Sequence, residues 1–224
     1  MRFLQIELPV SDPDVWADWF ATTLGLRRIQ DAANETAGVT LGWSQLRFVQ
    51  DAATDAETGE TDTADRAHHL AFAIPTGSIE RATSWIEEVT GEPLMDDDGT
   101  TLIDRGGSWA SRSIYFHGPE GSILELIEHA DRPAPDSPPE IGPDLLLGVA
   151  EIGIGTPDVA EAAAAIETSD RAADLPFGFG DPAHKVIAAY GDSDGAFILA
   201  AADRPWYPTQ DVLPVTSRPT VGMR

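Results

Sequence analysis

A histidine and a glutamate, each within an apolar segment, are the residues of this chain best suited to bind a metal ion. His69 begins the segment HLAFAIP, and Glu125 lies inside SILELIEH. A carboxylate between apolar neighbours is costly to bury unless it is paired, whereas a lone histidine is often an ordinary core residue. An imidazole, a carboxylate and the amide oxygen of Gln5 would suit Mn, Fe, Co, Ni or Zn. These residues predict a divalent metal centre, with a hydrogen-bonded core histidine as the alternative for His69.

An internal repeat indicates which residues occupy equivalent places. Three segments follow the order strand, helix and further strands, and they begin with FLQIELPVSD, HLAFAIPTGS and GVAEIGIGTPD. Counting back seven residues from Asp12, Thr76 and Asp158, beside each helix start, gives the equivalent positions Gln5, His69 and Glu151. Aligning the last strands, SQLRFVQ, SILELIE and AFILAAA, without gaps gives Arg47, Glu125 and Leu199.

The repeat predicts an α+β fold of three βαβββ modules. We expect modules one and two to pair within residues 1–130, so that their first and last strands converge on one cavity. A proline-rich linker at 131–143 then precedes module three at 144–208, and an extended tail covers 209–224. The acidic stretch 51–65 is expected to be a solvated or disordered loop. Module three, with Glu151 opposite Leu199, is expected to serve as a lid or an interface.

Two charged residues of module one could each have more than one role in the predicted cavity. Arg47 would either form a salt bridge with Glu125, in place of a metal, or hold an anionic or carbonyl substrate. Glu7 lies on the same strand face as Gln5, so it is a candidate ligand, a candidate general base and an equally good salt-bridge partner for Arg47. We therefore keep Arg47 and Glu7 as candidate catalytic residues.

Aromatic residues near the predicted strand ends are candidates for stacking on a flat ligand, and they would serve equally well as core residues. These are Trp43, Trp109, Tyr115 and Trp206.

Composition narrows the class of partner. The chain has 38 acidic and 14 basic residues, a formal net charge of −24 and no cysteine. So negative a field disfavours nucleic acid and anionic membranes, and it suits a high-salt cytoplasm. The absence of cysteine excludes disulfides and thiol chemistry. No apolar run approaches the roughly 18 residues of a membrane span, and the N-terminus does not read as a signal sequence. We expect a cytoplasmic protein with a small-molecule substrate, and leave a homodimer open.

The segments ELPVSDPDVWADWFATTLGL, HLAFAIP and YFHGPEGSILELIEH resemble the vicinal oxygen chelate superfamily of glyoxalases, extradiol dioxygenases and bleomycin-resistance proteins. The resemblance implies a glyoxalase-like half-barrel of modules one and two. It also implies a divalent metal, manganese first, with His69 and Glu125 matching family ligands and Gln5 at a position where members have His or Gln. Arg47 departs from the glyoxalase pattern, which has Glu there.

The resemblance therefore implies a metal-dependent, dioxygenase-like oxidoreductase that acts on a small planar or aromatic compound. Two alternatives stay open. One is a metal-free protein that binds a drug or antibiotic, and the other is a glyoxalase-type lyase or epimerase, which needs an acid–base pair such as Glu7 with Glu125.

Overall fold

The computed structural model describes residues 1–31, 36–51, 66–183 and 186–224. Module one comprises β1 (Phe3–Val10), α1 (Pro13–Thr23), β2 (Arg27–Asp31), β3 (Thr36–Leu41) and β4 (Ser44–Gln50). Module two comprises a short β5 (Arg66–Ala67), then β6 (His69–Ala73), α2 (Ile79–Thr90), β7 (Ile103–Arg105), β8 (Ser111–His117) and β9 (Ile123–His129). Of the acidic stretch predicted to be a loop, residues 52–65 lie outside the described part of the chain.

Module three comprises β10 (Gly148–Thr156), α3 (Val159–Glu167), β11 (Phe177–Gly180), β12 (Ile187–Asp192) and β13 (Gly195–Ala201). The tail adds β14 (Leu213–Pro214) and β15 (Thr220–Met223). Residues 131–142, between modules two and three, contain neither helix nor strand. Among the described residues, no helix is both long enough and apolar enough to cross a membrane.

The strands form one large sheet, one smaller sheet and a short pair. The eight-stranded sheet has the order β11-β12-β13-β10-β6-β9-β8-β7, and the five-stranded sheet has the order β15-β1-β4-β3-β2. Strands β14 and β5 form the short pair. The mixed α+β, glyoxalase-like fold with a curled half-barrel sheet is confirmed.

The pairing of the modules differs from the prediction. Modules two and three share the large sheet, joined by the antiparallel pair β6 and β10, whereas module one lies in the smaller sheet. Strand β6 is buried at every residue, as suits the centre of a sheet covered on both faces, while burial along β1 alternates. The free edge of β1 is taken by β15 of the tail, with Gln5 opposite Gly222 and Glu7 opposite Thr220.

The register of the first and last strands corrects one predicted equivalence. His69 pairs with Ile123 and Glu125 lies two residues further along β9, while Glu151 pairs with Ala196 and Ile198 lies two residues further along β13. The counterpart of Glu125 in module three is therefore Ile198. Leu199 has the opposite strand parity and packs in the cluster that includes residues of α3.

Aromatic packing joins module one to the large sheet. The Phe20 ring of α1 stacks on Phe48 of β4 with ring centroids 5.6 Å apart, and it meets Phe72 of β6 edge-on at 6.0 Å. Trp16 lies 5.5 Å from Phe48 in the same cluster. Side chains that α1, β4 and β6 bury from opposite sides thus share one core.

Each helix start receives a carboxylate, but not always from its own cap residue. Asp12 accepts from the backbone at the start of α1, and Asp158 does so for α3. The Ser78 side chain gives α2 no cap bond. Instead, Glu128 of β9 accepts from the backbone N–H groups of Ser78 and Ile79 at 2.9 and 3.0 Å. This buried carboxylate fixes α2 against the sheet that carries Glu125.

Candidate metal centre

His69 begins β6 with its ring oriented by the neighbouring strand. Its Nδ1 lies 3.1 Å from the backbone oxygen of Ile123. Because a carbonyl oxygen only accepts hydrogen bonds, Nδ1 carries the hydrogen, and Nε2 is the atom that faces the carboxylates. From Nε2, the nearest oxygen of Glu125 is 3.5 Å away and that of Glu151 is 4.0 Å away.

The two glutamates come from the strands on either side of β6. Glu125 on β9 and Glu151 on β10 both pair with Ala71, two residues after His69 and on the same sheet face. Alanine has no side-chain atoms beyond Cβ, so the space between the two carboxylates stays open. The exposed fractions of His69, Glu125 and Glu151 are 5%, 2% and 6%, which places all three groups out of bulk water.

This arrangement fits a divalent ion. One ligand atom from each of the three residues lies within 4.8 Å of the others. Metal bonds of about 2.1 Å keep two ligands of one ion within about 4.2 Å of each other, so only a small side-chain adjustment is needed. One imidazole and two carboxylates form a borderline-to-hard donor set, which suits Mn or Fe as well as Zn.

The pKa values of Glu125 and His69 indicate that a bound cation would be favourable in this cluster. Burial, followed by the charge of Glu151, raises the pKa of Glu125 from 4.5 to about 7. Burial lowers the pKa of His69, but the carboxylates of Glu151 and Glu125 outweigh this effect and raise that pKa above 6.5. Protons are thus retained between these groups at a place where a cation would neutralise them.

Neighbouring polar groups orient the carboxylates. The indole Nε1 of Trp109 donates a hydrogen bond of 3.3 Å to Glu151. The hydroxyls of Ser113 and Tyr115 lie beside Glu125 and favour its charged form. Such partners restrict the rotation of ligand side chains, which is how proteins commonly tune metal sites.

The three residues lie in a cavity of about 250 Å³ with aromatic walls. The ring of Trp206 is 5.1 Å from that of His69, and its Nε1 donates to the backbone oxygen of Ala67 at 2.8 Å. The Tyr115 ring stacks 6.3 Å from the His69 ring. Further lining residues include Trp109, Phe179 and Tyr207, with Arg105 and Arg204 as the cationic ones. The space suits a small planar molecule.

The structure brings together some of the predicted site residues. His69 and Glu125 meet in this cavity, and Trp109, Tyr115 and Trp206 line it. Their roles as ligands and as substrate contacts stay predictions.

Four predicted site residues lie elsewhere, because module one belongs to the other sheet. Gln5 on β1 donates to Glu7 at 3.3 Å, and Glu7 pairs across the strands with Arg47 on β4. A salt bridge between Arg47 and Glu125 does not form across the two sheets. Trp43 follows β3 and lies in a different groove, near the guanidinium groups of Arg2 and Arg132. The geometry therefore corrects the placement of Gln5, Glu7, Arg47 and Trp43 in the metal cavity.

Glu151 is the cluster member that the sequence analysis placed outside the site. Its equivalence to His69 was available from the seven-residue count, but module three was expected to be structural. Ile198, which holds the fourth equivalent position, lines the cavity with an apolar side chain. Within the described part of the chain, the centre therefore has three protein ligand candidates rather than four. Arg105 was also missed because it lies on an edge strand, and Phe179, Arg204 and Tyr207 were missed because they lie in module three.

Comparison with known proteins places the fold. No protein-family model and no curated protein matches the chain. A candidate dioxygenase from Bacillus subtilis aligns with 89% of this chain at 19% identity and a TM-score of 0.57. This chain spans 63% of that protein's length. A glyoxalase I mutant from Zea mays aligns with 89% of this chain at 18% identity and a TM-score of 0.51, with 68% of its own length covered. At these identities the likeness concerns the fold alone, and the chain shares its βαβββ-module fold with these two structures.

Proposed function

We propose that the protein is a metal-dependent enzyme in which His69, Glu125 and Glu151 hold one divalent ion. The observation that carries this proposal is the buried His-Glu-Glu cluster at the wall of an aromatic cavity. Two buried carboxylates facing each other are costly unless a cation accompanies them. Manganese is our first candidate, and iron, nickel, cobalt and zinc are the others.

The reaction that this site supports best is a dioxygenase-like oxidation of a small planar or aromatic compound. Three protein ligands leave positions for two substrate oxygens and a further small molecule. A bound ion would supply positive charge and a template for the reacting atoms. The chain itself contributes Trp109 and Tyr115, which orient the glutamates, and Trp206, which excludes water above His69.

The geometry weighs against the other two classes. A glyoxalase-type site takes a fourth protein ligand, and the equivalent position here is the apolar Ile198. The salt bridge between Arg47 and Glu125 that would favour a metal-free binding protein does not form, because Arg47 lies in the other sheet. We rank the oxidoreductase first for these reasons.

The test is metal-dependent oxygen uptake. Protein loaded with Mn²⁺ or Fe²⁺ is mixed with a panel of aromatic diols and planar heteroaromatic compounds in an oxygen electrode, and isomerisation of a hemithioacetal is followed in parallel. We expect oxygen uptake in wild type and in Glu161→Gln, which changes an exposed glutamate of α3. Uptake should disappear in Glu151→Gln. Equal uptake in Glu151→Gln, or hemithioacetal turnover without oxygen uptake, would overturn the proposal.

A further inference from the structure

Two arginines line the same cavity as the His-Glu-Glu cluster. Arg105 ends the edge strand β7 and is exposed, while Arg204 follows β13 and is half-buried. Both side chains are therefore at least partly accessible to solvent. The chain has only 14 basic residues against 38 acidic ones, so two arginines beside one small cavity represent a local concentration of positive charge.

Neither arginine forms an ion pair with a carboxylate among the described residues. Other arginines of the same chain, such as Arg112 with Glu80 and Arg171 with Asp174, do form ion pairs. Arg204 donates to the backbone oxygen of Pro205 at 3.2 Å. The Arg105 guanidinium instead lies 5.0 Å from the centre of the Tyr207 ring. Both groups thus keep donors for an external partner, since a guanidinium has five N–H bonds.

The two arginines also act on each other. Burial, followed by the charge of Arg105, lowers the pKa of Arg204. Neighbouring cations repel each other, and an anion bound between them would offset that repulsion. Guanidinium groups bind carboxylates through paired hydrogen bonds, so a carboxylate is an anion that two neighbouring arginines bind well.

The arginines and the metal ligands are linked through one side chain. Tyr115 interacts with Arg105 on one side and with Glu125 on the other. One ligand of moderate size would therefore contact both the arginines and the metal centre, with its body between the rings of Trp206 and Tyr207. Trp206 is fixed by its bond to Ala67, and Tyr207 by its bond to Asp96 at 3.1 Å.

We propose that the substrate is an aromatic or heteroaromatic acid, whose carboxylate is bound by Arg105 and Arg204 while its other end faces His69, Glu125 and Glu151. This inference rests on the proposed function, because it assumes a metal at that cluster. The overall charge of −24 repels anions from the protein surface, so discrimination in favour of an acid must come from these two local cations.

The test compares two probes of similar size and shape, one of which carries a negative charge. The acid is 3,4-dihydroxybenzoate and the neutral counterpart is 3,4-dihydroxybenzamide, and both offer the same diol to a metal. Binding to Mn²⁺-loaded protein is measured by calorimetry in Arg105→Gln, Arg204→Gln and the double variant. Arg218→Gln is the matched control, because it removes the same charge from an exposed tail position outside the cavity.

We expect wild type and Arg218→Gln to bind the acid about tenfold tighter than the amide, or more, as for hydrogen bonds to charged groups. Each cavity variant should reduce that preference about tenfold while the affinity for the amide changes little. Arg204→Gln is the most informative single variant. Arg204 is not a proposed metal ligand, so the Mn²⁺ content of this variant should stay at the wild-type level and a lost preference for the acid would be due to the arginine itself.

Two results would overturn the inference alone: wild type with bound Mn²⁺ that shows no preference for the acid, or a preference that persists in the double variant. Binding of neither probe to the Mn²⁺-loaded protein would also overturn it. Wild type that binds no divalent ion at all would instead refute the proposed function, and this inference with it.

Discussion

Replacing Glu125 by glutamine should stabilise the metal-free protein, although it removes a proposed metal ligand. Burial and the neighbouring Glu151 raise the pKa of Glu125 from 4.5 to about 7. In the folded protein the charged form is therefore disfavoured relative to the unfolded chain. The difference between the two pKa values corresponds to about 3 kcal/mol, which is the largest gain that a neutral side chain of the same shape would give.

The size of the stabilisation depends on pH. Below about pH 4.5 the carboxyl is protonated in both states, so its burial carries no charge penalty. Between 4.5 and about 7 the unfolded chain loses this proton first, and wild-type stability falls as pH rises. Above 7 the penalty is constant. The advantage of Glu125→Gln should therefore grow from pH 5.5 to pH 8.

Glu128, three residues along the same buried strand, is the matched control. Its carboxylate accepts from Ser78 N and Ile79 N at the start of α2, and it pairs with Arg112 at 3.1 Å. These hydrogen bonds and the Arg112 charge stabilise the Glu128 carboxylate in the folded protein. Glu128→Gln should therefore lower the free energy of unfolding by about 1–3 kcal/mol.

The assay is urea denaturation in the presence of a chelator at pH 5.5 and pH 8, with wild type, Glu125→Gln and Glu128→Gln. The same substitution on one strand should stabilise at the first position and destabilise at the second. The reasoning is refuted if Glu125→Gln is no more stable than wild type at pH 8, or if its advantage does not grow with pH.

Three further predictions concern the metal centre and its cavity. Trp109→Phe removes a hydrogen bond to Glu151, a proposed metal ligand, and should weaken Mn²⁺ binding about tenfold in a chelator competition. A Cβ atom added at Gly153 would lie 2.7 Å from Trp206 and 2.8 Å from the His69 Cβ. Gly153→Ala should therefore lower Mn²⁺ affinity and shift tryptophan fluorescence. The control variant Gly106→Ala should change neither, because its added Cβ meets nothing within 4 Å. Because burial raises the pKa of Glu125 to about 7, apparent Mn²⁺ affinity measured by calorimetry should fall as pH drops below 7, and a flat profile from pH 8 to 5.5 would contradict this.

Much of the site could be predicted from local sequence pattern. The seven-residue count from helix to strand placed His69 and Glu151 at equivalent positions, and the costly carboxylate in ILELIE marked Glu125. The backbone register brings these three residues together, since Glu125 and Glu151 both pair with Ala71, two residues after His69. The module repeat therefore predicts the α+β architecture correctly.

The repeat does not predict which two modules pair, because each of the three modules begins with a strand at the equivalent position. The three first strands differ in how many of their residues are apolar. FLQIELPV alternates apolar and polar residues, as in a sheet with one solvated face, whereas HLAFA and GVAEIGIG are apolar nearly throughout. That contrast favours pairing of modules two and three. The tail strand that covers β1 lies more than 200 residues away in sequence, and no local pattern indicates it.

The most direct test of the central claim is metal stoichiometry in two variants. Elemental analysis after Mn²⁺ loading and desalting should give about one ion per chain in wild type and in Gln5→Ala, and none in Glu151→Gln. This result would locate the centre between modules two and three. Retention of the ion in Glu151→Gln together with its loss in Gln5→Ala would contradict the account, because it would place the metal on module one.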